Sequence, residues 1–92
     1  MRYEWDEDKN SLLKSTRGVV FEDVLIAISE ARLLDVLPHY NVQKYPNQRL
    51  FIIRIREYVY YVPFVEDDEK VFLKNIIPSR KYQKMYNKEA LS

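Results

Sequence analysis

Cysteine is absent from the 92-residue chain, which removes disulfides and thiolate metal ligands together and suits a reducing compartment. Histidine occurs once and tryptophan once, so an imidazole cluster for metal or for paired acid–base work is excluded as well. The single glycine rules out a glycine-rich phosphate loop. No apolar run approaches the roughly 18 residues that a membrane-spanning helix needs, and no charged-then-apolar leader opens the chain. These absences predict a soluble, cytoplasmic protein without a metal or an organic cofactor.

What is present is apolar and aromatic. The chain is 47% hydrophobic, with eight Tyr and four Phe, too apolar for disorder in spite of 32% charged residues. Its length fits one domain over residues 1–92. The net charge of +1 conceals a gradient. Residues 1–38 carry five basic and eight acidic side chains, residues 39–69 four and five, and residues 70–92 six and one, a balance of −3, −1 and +5.

Local signals predict an α+β domain. "RYEW" reads as a short strand. Asp6 is a good N-cap, with Glu7 and Asp8 in the first turn of a helix over about 7–16, and Gly18 stands where a left-handed C-cap costs least. Apolar residues at 21, 24, 25, 28 and 31 give a second helix over about 21–31, with a weakly marked start because Val20 takes the cap position. Strands are expected at about 33–37, 49–56, 58–65 and 70–77, rich in β-branched and aromatic residues. A tight turn falls at 56–58, and "EDDE" at 66–69 is a solvated hairpin tip. The sheet is expected to be mainly antiparallel, with two N-terminal helices before it and a basic C-terminal helix after it.

The candidate chemistry lies in cations, tyrosines and one imidazole. Arg80, Lys81, Lys84 and Lys88 interleave with Tyr82 and Tyr86, the mixture that single-stranded nucleic acid binding uses, although a solvated helix face reads the same way. Arg54 and Arg56 alternate with Leu50 and Ile52 on one side of a strand, opposite Phe51, Ile53 and Ile55. Arg49 and Lys74 converge with them if the sheet is a meander. His39 is the one ready general base, or else a surface loop residue. The second helix is acidic, which argues against a DNA-reading helix-turn-helix.

The pieces "YEWDEDKN", Gly18 followed by "FED", "NQRLFII" and "NIIPSRKYQKMYNKE" resemble, in order and spacing, the BrnT toxin family of the RelE superfamily. The most specific are Trp5, Asp6 and Lys9 at the opening and Ile77, Ser79, Arg80 and Lys81 at the close. Relatives usually carry a histidine where this chain has Arg17. The resemblance implies a RelE-like fold and a type II toxin that cuts messenger RNA, free or on the ribosome, and is silenced by a small antitoxin with a DNA-binding domain, through which toxin copies assemble. Its site is then expected at Arg80, Arg49, His39 and Tyr82, with Lys81, Lys74, Arg54, Arg56 and Lys84 contacting the RNA and no metal taking part. A protein of another class, a non-catalytic binding module that keeps the fold, is the alternative.

Overall fold

The computed structural model describes residues 1–87. The elements run β1 (Arg2–Glu4), α1 (Glu7–Arg17), α2 (Phe21–Ser29), β2 (Leu33–Pro38), β3 (Arg49–Ile55), β4 (Tyr58–Glu66), β5 (Lys70–Leu73), β6 (Ile77–Pro78) and α3 (Arg80–Asn87). The sheet order is β1-β5-β4-β3-β2, with β6 continuing beside β4. All pairings are antiparallel except β1 with β5. This is the α+β arrangement expected, with the opening strand added to one edge.

The caps explain the helix limits. The Asp6 carboxylate accepts the Lys9 N–H at 3.1 Å, and Gly18 ends α1 at φ 69, where a side chain would be strained. Trp5 stacks on Phe21 with centroids 5.7 Å apart. The opening motif thus fastens α1 to α2. Val20 offers no side-chain cap, and two neighbours replace it: Asp23 accepts the Val20 N–H at 3.0 Å, and Asn10 accepts the Phe21 N–H at 2.7 Å. Helix α2 ends at Ser29, two residues before the expected limit. Ala31 adopts φ 59, and the Arg32 and Ala31 N–H groups return to Ala27 and Ile28 carbonyls at 2.8 and 3.2 Å. That is a left-handed stop made without glycine.

The strand expected at 70–77 is interrupted. Val71, Leu73 and Ile76 are buried, so the inward alternation skips one residue between 73 and 76. A continuous strand would have turned Asn75 inward, and burying an amide without partners is costly. Instead Asn75 accepts its neighbour's N–H, from Ile76, at 2.9 Å. Lys74 therefore lies just past β5 rather than within a strand.

Two cores result. Between the helices and the sheet lie Leu13, Phe21, Val24, Phe51, Ile53, Phe64 and Leu73 among others, and Phe51 stacks on Phe64 at 3.8 Å. On the opposite face Leu50, Ile52 and Val59 are covered by Tyr61, Tyr82 and Tyr86. Among the described residues no helix is long and apolar enough to cross a membrane.

Candidate nucleic-acid interface

Helix α3 is held on the sheet by Tyr82 and Tyr86 packed on Leu50, Ile52 and Val59 and by a set of polar bonds. The buried Ser79 donates its N–H to the Val59 carbonyl at 3.1 Å and accepts the Tyr82 N–H on its hydroxyl at 3.1 Å. Gln83 accepts the Val59 N–H at 2.8 Å. Both backbone groups of Val59 are thereby satisfied by the segment carrying α3. Tyr82 and Tyr86, four residues apart, turn the same helix face to the sheet, and the Tyr86 hydroxyl donates to Asp35 at 3.2 Å. Arg80, Lys81 and Lys84 remain exposed on the outer side.

Beside the start of α3 lies a cleft of about 240 Å³ lined by Tyr40, Leu50, Tyr61, Ser79, Lys81 and Tyr82. That is below the roughly 300–1,000 Å³ of most small-molecule sites and suits one base or one sugar–phosphate unit. Its walls are tyrosines in edge contact: Tyr40 meets Tyr61 with centroids 6.1 Å apart, and Tyr61 meets Tyr82 at 6.4 Å. The Lys81 ammonium sits 5.4 Å from the Tyr82 ring centre, a cation–π distance. The positive end of the α3 dipole faces the same way, with no acidic residue in its first turn.

Burial raises the Tyr61 phenol above its ordinary value, the facing Tyr40 adds to the shift, and Arg17 opposes it. Desolvation, and then Asp35, raise Tyr86 likewise. Arg17 reaches from the end of α1 to the segment before β6, donating to the Ile76 carbonyl at 2.5 Å and to Asn75 at 3.2 Å.

The expected site residues separate into two groups. Arg80, Lys81, Tyr82 and Lys84 share α3; Lys81 and Tyr82 line the cleft, while Arg80 and Lys84 are exposed on the outer side of the helix. Arg54 is half-buried on the same sheet face, its guanidinium 3.5 Å from the Tyr86 carbonyl. Lys74 also points to this face, over Phe72. Lys88 lies outside the described residues.

The others do not converge there. Arg49 alternates with Phe51 onto the helix-side face, where it is ion-paired with Glu66 and lies 5.2 Å from the Phe64 ring centre. Arg56 sits in the β3–β4 turn at φ 55, which swings its side chain toward the helices. There it donates to the Gly18 carbonyl at 2.6 Å and approaches Asp23 at 3.8 Å. His39 is neither on the surface nor open as a base: it is buried, and its Nδ1 already accepts the Asn41 N–H at 3.0 Å. Its ring packs between Tyr40 and Tyr45 at 4.3 and 4.7 Å. His39 positions the tyrosine wall and does not enter the cleft.

Tyr40, Tyr61 and Arg17 were not among the expected site residues. Tyr61 was visible in principle, because alternation along "YVYYVPFV" places it on the same side as Val59 and Pro63. Nothing local marks Tyr40, which reaches the cleft through the loop after β2. Among the described residues no three histidine, aspartate or glutamate side chains converge as a metal site needs. Compared with protein families, with curated proteins and with solved structures, the chain matches none.

Proposed function

We propose that this chain is the toxin of a type II toxin–antitoxin pair, a RelE-like endoribonuclease that cuts messenger RNA in the bacterial cytoplasm and so stops translation. The observation that carries the reading is the tyrosine-walled cleft at the start of α3, lined by Lys81, with Arg80 and Lys84 exposed on the same helix. Aromatic faces for bases beside cations for phosphates are the working parts of a single-strand site. The BrnT-like closing motif runs through the same helix.

RNA supplies its own nucleophile. In the proposed reaction the 2′-oxygen bonds to the neighbouring phosphorus as its proton passes to water, and the bond to the 5′-oxygen breaks. The products are a 2′,3′-cyclic phosphate and a 5′-hydroxyl. Arg80 and Lys81 stabilise the charge that builds on the phosphoryl oxygens. A phenol of the cleft, Tyr61 or Tyr82, protonates the leaving oxygen. Holding the 2′-hydroxyl in line contributes through positioning. The antitoxin, in this reading, masks the cations of α3 with acidic side chains, so its binding weakens as salt rises.

Growth and RNA integrity after induction in bacteria test the proposal. Growth arrest with fragmented RNA is expected, and Arg80→Ala is expected to relieve it while the circular dichroism of the protein stays unchanged. Normal growth and intact RNA beside soluble, folded protein contradict it. The burial of His39 favours one second reading, a non-catalytic binding module, because the cleft then lacks a ready base. RNA bound and left intact by the purified chain is its signature.

A further inference from the structure

The face that carries the cleft continues past it. The Lys74 N–H donates to the Pro63 carbonyl at 2.8 Å, and Pro63 pairs with Leu50 on the next strand. Leu50, Pro63 and Lys74 therefore form one row across the sheet, starting at the cleft floor. Two strand spacings put the Lys74 backbone about 10 Å from that of Leu50. Alternation sets Phe72 on the same face, since Val71 and Leu73 point into the helix-side core.

Phe72 is half-buried and belongs to neither core cluster among the described residues. The Lys74 ammonium lies 5.5 Å from its ring centre. The cation over this ring repeats the pairing of Lys81 with Tyr82. Glu4, the β1 partner of Phe72 in the sheet register, is paired with Lys70 and Arg2, each at 3.6 Å, so its charge is compensated and leaves Lys74 to an outside anion.

We propose that Phe72 and Lys74 form a second stacking subsite, taking one base and its phosphate from single-stranded RNA that leaves the cleft across Pro63. The subsite rests on the reading of the cleft as an RNA site and extends it from one nucleotide to a track.

The test is fluorescence anisotropy on the purified full chain, with 2′-O-methyl oligonucleotides that cannot be cut, one short enough to fill only the cleft and one longer. Wild type is expected to bind the longer probe more tightly. Phe72→Leu keeps apolar bulk and removes the stacking face, so it is expected to weaken the longer probe about 10-fold and leave the short one unchanged. Phe72→Tyr is expected to retain wild-type binding. Lys74→Ala is expected to lower the salt slope for the longer probe by about 0.7, the value for one phosphate on a single strand. Unchanged affinity of Phe72→Leu for the longer probe overturns the subsite while short-probe binding keeps the cleft reading intact. Failure of wild type to bind either probe overturns both. Displacement of a polyglutamate peptide, but not of RNA, by the Phe72 change overturns the subsite in favour of a protein partner.

Discussion

On one face of the sheet Phe51 and Phe64 lie nearly parallel at 3.8 Å under two helices, without a polar atom between them. On the other face Tyr40, Tyr61 and Tyr82 meet edge to face at 6.1 and 6.4 Å, and Tyr86 lies tilted 6.5 Å from Tyr82, with a single helix and cations along its outer side. The same strands build both. The first face removes apolar area from water and provides stability in proportion to that area. The second spends part of its burial on hydroxyls that need partners, and it keeps a cleft open. A 92-residue chain has little apolar burial to spare, so a cleft kept open in an aromatic face is worth its cost only where the rings meet something from outside.

Four perturbations separate the faces. The largest effect is expected from Phe64→Ala, which empties the middle of the dry core and costs about 3–5 kcal/mol. Thermal unfolding followed by circular dichroism checks it, and a shift near zero contradicts the division of labour. Arg80→Ala works in the opposite sense. RNA cleavage is expected to fall about 10²- to 10³-fold, with the unfolding midpoint unchanged, and Arg80→Lys is expected to recover only part, because an ammonium cannot grip a phosphate through two parallel bonds. Gly18→Ala comes third. No atom lies within 4 Å of an added Cβ there, so only the left-handed backbone is penalised, by about 1 kcal/mol, and cleavage per folded molecule is expected to stay the same.

The smallest effect is a pH dependence. The phenols of Tyr61 and Tyr86 are held above their ordinary value in the folded chain, by burial first. The folded state therefore keeps these protons where the unfolded chain has begun to lose them. Stability from this source is complete below the ordinary tyrosine range and declines as pH rises from there through the folded values. Unfolding midpoints across an alkaline pH series are expected to fall more steeply for wild type than for the Tyr61→Phe, Tyr86→Phe double variant. Parallel slopes contradict the assignment.

Much of the dry face was legible in the sequence, because alternation in "RLFII" and helical spacing from Phe21 are periodic signals that tertiary packing reinforces. The cap at Asp6 and the stop at Gly18 were local chemistry and equally readable. The stop at Ala31 was not, since no glycine or asparagine announces a left-handed residue there. The break after Leu73 follows from an amide that cannot be buried, and only the competing depth of Ile76 decides it. The site was half legible. The cations of α3 stand in one sequence block, whereas the cleft wall is assembled from Tyr40, Tyr61 and Tyr82, three segments that meet only when the sheet closes. Arg49 and Arg56 misled for different reasons: a meander brings strands together but does not change which face a side chain takes, and alternation holds only as far as the strand runs. A single residue of register sends Arg49 to the dry side, and a left-handed turn sends Arg56 there.

The central claim is that the tyrosine face of α3 cuts RNA through the substrate's own 2′-hydroxyl. Its most direct measurement compares cleavage of an all-ribose single strand with that of the same strand bearing 2′-deoxy sugars, using the purified chain with and without added ribosomes. The account predicts fragments ending in 2′,3′-cyclic phosphate from the first strand and none from the second. Equal cutting of the two strands, or no cutting of either in the presence of ribosomes by a chain that circular dichroism shows to be folded, contradicts it.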